Sequence, residues 1–151
     1  HDYFRGASDD ALADVVRLGR VEHHAAGTVV HEANAPLATV GFVLRGRLKA
    51  VRVDDRGVES PFKTFERGDQ YGLMVGALAE PIPVRLIALE ASAALVLDYD
   101  VAMELTLAHA DLRKLWLKTY AGGLRKLFFG APQKRTAAIL ALVHESPATR
   151  P

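Results

Sequence analysis

The chain contains no cysteine, which excludes disulfides and thiolate metal sites and leaves the redox compartment unread. No apolar run approaches the roughly 20 residues that span a bilayer. No signal peptide, low-complexity tract or internal repeat is visible. An excess of one charge is also missing: 19 Lys and Arg stand against 18 Asp and Glu, interleaved, for a formal net charge of +1. A nucleic-acid-binding domain would carry a clustered basic face; here the basic cluster is Lys126, Lys134 and Arg135, close to the end.

Catalytic signatures are missing as well. Ser8, Ser60, Ser92 and Ser146 stand in no nucleophile-elbow pattern, and Gly-x-Ser-x-Gly does not occur. Ser8 reads as a helix cap and Ser92 as a turn residue. The acid pairs Asp9-Asp10 and Asp54-Asp55 fall at a helix start and a hairpin tip, where solvated charges belong. His23 and His24 are adjacent, so on a strand they face opposite sides and cannot readily share an ion. With His31 they read as surface histidines, and His109 and His144 as solvent-facing or capping. Neither a catalytic residue nor a metal site is expected.

What remains is a chain of 151 residues, half of them hydrophobic and a quarter charged, enough for one domain with a real core. Ser8, Asp9 and Asp10 cap a helix whose apolar positions are Ala11, Leu12, Val15, Val16 and Leu18, ended by Gly19. Strands are expected over 21–24, 28–31, 40–44, 48–53 and 60–65, with a late hairpin of 84–89 and 94–97 about Glu90-Ala91-Ser92. Such spacing predicts a mainly β fold, a closed antiparallel sandwich or β-roll. Asp98 can cap a helix carrying Val101, Met103, Leu105 and Leu107. A second helix follows from Ala110 or Asp111, with Leu112, Leu115, Trp116, Tyr120, Leu124, Leu127 and Phe128 on a broad apolar stripe. Gly122-Gly123 predicts a kink or break in it, and Gly130-Ala131-Pro132 ends the helical region. Residues 136–143 are apolar and read either as a buried strand or as a short helix. The chain begins at His1 without methionine and stops in mid-pattern at Pro151, as expected of a piece of a longer protein.

The most informative run is Glu66-Arg67-Gly68-Asp69-Gln70-Tyr71-Gly72-Leu73-Met74, followed by the proline-broken Glu80-Pro81-Ile82-Pro83. It predicts a tight turn and a short helical turn with outward amides, a place where anions gather. With Ala26-Gly27-Thr28-Val29-Val30, Phe42-Val43-Leu44-Arg45-Gly46-Arg47-Leu48 and Ala94-Leu95-Val96-Leu97-Asp98, it resembles the cyclic-nucleotide-binding domain over about residues 3–129. The resemblance implies an antiparallel β-roll, a double-stranded jelly-roll-like barrel, with an N-terminal helix and C-terminal helices. Residues 130–151 would be a linker or the start of a following domain.

In that family the turn is a phosphate-binding cassette, whose glutamate takes the ribose hydroxyl and whose arginine pairs with the cyclic phosphate. By the resemblance, Gly72 matches the cassette glycine, Leu73 stands where the glutamate belongs, and the arginine position falls at Ile82. Arg85 is the nearby base, and moving it into register would shorten the following hairpin. The candidate ligand-binding residues of this degenerate cassette are therefore Gly72, Leu73, Met74, Ile82, Pro83, Val84 and Arg85. A charge-assisted hydrogen bond contributes about 1.5–3 kcal/mol, so loss of both groups removes roughly three orders of magnitude of affinity. Cyclic AMP or cyclic GMP binding in the usual way is not expected, and no other cofactor is.

The segment Val75-Gly76-Ala77-Leu78-Ala79-Glu80-Pro81-Ile82, with Lys134-Arg135-Thr136-Ala137-Ala138-Ile139-Leu140-Ala141-Leu142-Val143, looks like the domains that precede patatin hydrolase domains in neuropathy target esterase-like phospholipases. The expected function is a non-catalytic, cytoplasmic regulatory domain whose partner is a neighbouring effector domain of the same protein. The helix stripe either covers the roll or also forms a homodimer. The alternative is the ligand-sensing domain of a catabolite activator-like regulator, with residues 133–144 opening its winged helix-turn-helix. No direct nucleic-acid contact is assigned to this piece, since no recognition helix is present.

Overall fold

Ser8 opens the first helix, α1 (Asp9–Leu18): its Oγ accepts the Ala11 amide at 3.3 Å, and Asp9 and Asp10 lie in the first turn. The computed structural model describes residues 2–129. Ala11 and Val15 are buried, whereas Val16 and Leu18, expected on the same stripe, are exposed. The chain divides into two compact units, residues 1–116 and 117–151.

The first unit holds two sheets. Sheet A has the order β1-β8-β3-β6, from β1 (Arg20–His24), β8 (Ser92–Asp98), β3 (Thr39–Arg45) and β6 (Gln70–Tyr71). Sheet B has the order β2-β7-β4-β5, from β2 (Val29–His31), β7 (Val84–Ala88), β4 (Leu48–Val53) and β5 (Glu59–Phe65). Every pairing is antiparallel. The expected β-roll with flanking helices is the fold of the chain.

Alternation on the strands separates two cores. Val43, Tyr71, Ala94 and Val96 of sheet A meet Leu48, Ala50, Phe65, Leu86 and Ala88 of sheet B, which defines the inner face between the sheets. Val40, Phe42, Leu95 and Leu97 face the other way, onto Ala11 and Val15 of α1, onto Ala102 and Leu105 of α3 (Tyr99–Ala108), and onto Leu112 of α4 (Ala110–Phe129). Sheet A is thus covered on both faces, which is why β8 is buried from Ser92 through Leu97. Gly41 has no side chain because the Tyr71 ring lies across it.

Several expectations change in three dimensions. Ser92 is no turn residue: it is buried at the start of β8, where its Oγ accepts the Arg47 amide at 3.1 Å and donates to the Glu90 carbonyl at 2.8 Å. Asp98 precedes α3 without a side-chain cap, because its carboxylate accepts from Arg20 at 3.1 Å instead. Leu107 is exposed, and Thr106 is buried in its place with its hydroxyl donating to the Met103 carbonyl at 2.7 Å. The helix α4 runs through Gly122-Gly123 without interruption.

Of the second unit, residues 117–129 are described; they are the latter part of α4, with Leu117, Leu124, Phe128 and Phe129 exposed. Residues 130–151, including the expected end at Gly130-Ala131-Pro132 and the ambiguous segment 136–143, lie outside the described residues. Among the described residues no helix is long and apolar enough to cross a membrane.

Candidate functional site

The cassette is the chain between β6 and β7. Gly72 stops β6 with φ of 87°, and a Cβ there would collide with the Thr39 carbonyl oxygen, so the position demands glycine. The short helix α2 (Leu73–Leu78) follows and ends at Ala79, also left-handed at φ 53°. Gly76 packs directly against the Tyr99 ring, where no Cβ could fit. The proline-broken return is pinned by backbone: the Ile82 carbonyl accepts from Asn34 at 2.8 Å and the Pro83 carbonyl from Val53 at 2.8 Å.

The seven expected site residues do not converge. Leu73 is 3% exposed and packs with Val40, Phe42, Leu97 and Leu105 on the helix side of sheet A, away from the inner face. Met74 and Pro83 are exposed and Ile82 is half-buried. Val84 packs onto the inner core. Arg85 points the other way: Val84, Leu86 and Ala88 face inward, so their alternating neighbour lies on the outer face of sheet B. There its Nε donates to Glu32 Oε1 at 2.6 Å and its Nη1 to Glu59. Paired in this way, the Arg85 guanidinium is held above its ordinary range by the Glu32 hydrogen bond, and the Glu32 carboxyl is held below its own, chiefly by Arg85.

From Gln70 to Val84 the sequence has no Lys, Arg or His. Cations reach the inner face from elsewhere. Arg52 of β4 stands opposite Val84, and Lys63 of β5 opposite Ala50, so both share the inner face with the apolar core. Lys63 Nζ lies 4.6 Å from the Phe65 ring centroid. Sequence reading passed over both, because a strand's inward face is set by pairing and not by residue type. Tyr71 is also inward, and burial pushes its phenol well above the ordinary value. Two cavities stand out, one between Phe4, Phe42, Leu73, Leu97 and Leu105 and one beside Phe4, Arg5, Leu44 and Arg67; neither is lined by Met74, Ile82, Pro83, Val84 or Arg85.

The histidines are partly different from the surface reading. His23 is exposed, but His24 is largely buried with Nε2 3.7 Å from Glu22. His31 Nε2 meets the Ala35 carbonyl at 3.0 Å. His109 ends α3 and its Nε2 bonds Asp14 of α1 at 2.8 Å, so it ties two helices together and does not face solvent. Among the described residues no group of three or more His, Asp or Glu could hold a metal ion.

The cyclic nucleotide-binding domain family model matches residues 21–109. No curated protein matches the chain. Among solved structures, it is similar to a transcriptional regulator from Thermotoga maritima, with 25% identity, 78% of this chain and 95% of that chain covered, and a TM-score of 0.70. It is similar to the Thermus thermophilus catabolite activator protein, with 15% identity, 94% and 62% covered, and a TM-score of 0.75. It is similar as well to the regulatory subunit of a cAMP-independent protein kinase A from Trypanosoma brucei, with 15% identity, 81% and 47% covered, and a TM-score of 0.66. With the β-roll, the glycine-started cassette and a family match over more than half its length, the chain belongs to the cyclic nucleotide-binding domain family.

Proposed function

We propose that residues 3–129 form a regulatory domain that does not take cyclic AMP or cyclic GMP in the family's usual way and that acts on a neighbouring effector domain. Domains of this family are regulatory and non-catalytic. One observation carries the reading: the cassette offers no cation from Gln70 to Val84, and the first arginine after it, Arg85, is committed to Glu32 and Glu59 on the outer face. A cyclic phosphate placed at α2 would be desolvated without a counter-charge, which costs more than the remaining backbone amides return. The fold occurs in a kinase regulatory subunit described as cAMP-independent.

Coupling would run through Gly76 and Tyr99. The Tyr99 ring on Gly76 ties α2 to the first residue of α3, so a shift of the cassette must displace that helix. The cytoplasmic setting and a homodimer through α4 belong to the same reading, the exposed Leu117, Leu124, Phe128 and Phe129 supplying its apolar surface. Thermal denaturation with millimolar cyclic AMP or cyclic GMP tests it, because a ligand of the native state raises the midpoint. No rise is expected; a rise of several degrees contradicts the reading.

A second reading, the sensor domain of a transcription regulator, is favoured by the regulators from Thermotoga maritima and Thermus thermophilus that share the fold. A patatin-type effector rests on the resemblance of two short sequence segments, 75–82 and 134–143. The sequence of the whole protein separates them: a recognition helix supports the regulator, and a Gly-x-Ser-x-Gly elbow the hydrolase.

A further inference from the structure

A groove of about 610 Å³ opens toward the end of β3, within the size range of small-molecule sites. Three segments build it. The N-terminal turn supplies Phe4 and Arg5, β3 supplies Phe42 to Leu44, and the turn before β6 supplies Arg67 and Gly68. Backbone bonds hold the three together: the Gly68 amide donates to the Val43 carbonyl at 2.9 Å, and the Gly68 carbonyl accepts from Tyr3 at 2.8 Å. The cassette meets β3 at its other end, where Gly72 lies against the Thr39 carbonyl, and none of residues 72–85 lines the groove.

Its lining joins accessible apolar surface to unpaired positive charge. The Phe4 ring is half-buried and stands 4.5 Å from the Phe42 ring. Leu44 is 43% exposed; it is the extra residue where the register of β3 against β8 shifts, and such bulges re-aim a side chain. Arg17, Arg20, Arg47 and Arg85 each have a carboxylate partner. Arg5 and Arg67 are exposed and have none among the described residues. Arg45, likewise unpaired, shares with Phe42 one face of sheet A, the two standing opposite Ala93 and Leu95. Two acids lie close by. Asp2 lines the groove, its Oδ1 accepting the Phe4 amide at 3.0 Å, and exposed Glu66 precedes Arg67. Two guanidiniums against one carboxylate leave the lining positive, and the planar fork of arginine suits both carboxylate and phosphate. The end of the chain is no match for such a surface, since Lys134, Arg135 and Arg150 outnumber Glu145 there.

We propose that this groove binds a small organic anion, with Arg5 and Arg67 holding its carboxylate or phosphate and Phe4 and Leu44 receiving its apolar body. The site goes beyond the regulatory reading and uses no part of the cassette. Its ligand touches the segment that leads into α1, where the Ser8 amide donates to Asp111 Oδ2 of α4 at 2.5 Å.

The test is an amide-resolved NMR titration of the full chain with benzoate, phenyl phosphate and uncharged benzyl alcohol. Saturable shifts at Phe4, Arg5, Leu44, Arg67 and Gly68 are expected with at least one of the anions, and not with the alcohol. The anion that binds tighter identifies the head group. Arg5→Gln and Arg67→Gln should each weaken that binding about tenfold or more, as loss of a charge-assisted contact implies. Arg56→Gln removes the same charge at the turn between β4 and β5, outside the groove, and should leave the affinity intact. All three side chains belong to exposed residues, and an unchanged amide spectrum elsewhere verifies the fold of each variant. The proposal is overturned by an absence of saturable shifts at these amides or by an equal response to benzyl alcohol. Shifts confined to residues 72–84 would place the anion in the cassette and overturn it too, as would full affinity in Arg5→Gln or Arg67→Gln, or an equal loss in Arg56→Gln.

Discussion

Arg85 Nε donates to Glu32 Oε1 at 2.6 Å, joining β7 to the residue just after β2 on the outer face of sheet B. This pairing takes the guanidinium nearest the cassette out of contention as a phosphate ligand. It also makes a prediction about acid titration. The Arg85 hydrogen bond holds the Glu32 carboxyl below the usual 4.5. A carboxyl depressed in the folded state contributes stability above its unfolded value, lost as the pH falls through the folded one. NMR titration of the Glu32 side chain should therefore show a depressed midpoint that returns toward 4.5 in Arg85→Gln. The stability difference between the two proteins should narrow on acidification. An unmoved midpoint would show that Arg85 is engaged elsewhere.

Leu73 occupies the position of the family's acidic residue but is built as core. Leu73→Ala should cost about 2–5 kcal/mol in urea unfolding, the range for large buried leucines. Leu73→Glu should cost more, since it would place a carboxylate in the apolar cluster that holds Val40, Phe42, Leu97 and Leu105. Introducing the family glutamate together with Ile82→Arg is then expected to unfold the domain before it creates a nucleotide site. A stable double variant that gains cyclic AMP binding would mean that residue 73 can turn to the inner face.

Gly72 sets the direction of the cassette. Gly72→Ala should destabilise by at least about 1–2 kcal/mol, the cost of a left-handed backbone for a residue with a Cβ. The collision with the Thr39 carbonyl adds to that cost. Chemical denaturation measures it; a neutral outcome would mean that the turn relaxes without loss.

His109 and Asp14 connect the end of α3 to α1 at 2.8 Å. The His109 hydrogen bond, then that of Arg17, holds the Asp14 carboxyl below its ordinary 3.8. By the same sign, this contribution is present at neutral pH and disappears as the pH drops through the lowered value. His109→Ala should raise the Asp14 midpoint and bring acid unfolding on at higher pH, followed by circular dichroism. Coincident acid-unfolding curves would show that the tie contributes nothing measurable.

How much of this could be read in the residues depends on the kind of information each feature carries. Among the described residues seven of the eight strands and the four helices were legible because β-branched runs and turn residues mark them locally, and the Ser8 cap has a short-range signature, whereas the two-residue β6 fell inside the expected turn. Ser92 was misread because a strand buried on both faces loses its alternation and the turn residues before it dominate the local signal. The two glycines of α4 cost about 1 kcal/mol each relative to alanine, too little to break a helix of 20 residues. Arg85, Arg52 and Lys63 could not be sorted in advance, since which face a strand residue takes depends on register, and a single bulge resets it. The cassette glycine and its missing charges were visible in the chain; where Leu73 points was not.

Isothermal titration calorimetry of the chain with cyclic AMP and with cyclic GMP tests the central claim most directly, because it reads whether a cassette without a cation can hold a cyclic phosphate. The account predicts no saturable heat at micromolar ligand for either nucleotide. A saturable isotherm with a micromolar dissociation constant for either would contradict it.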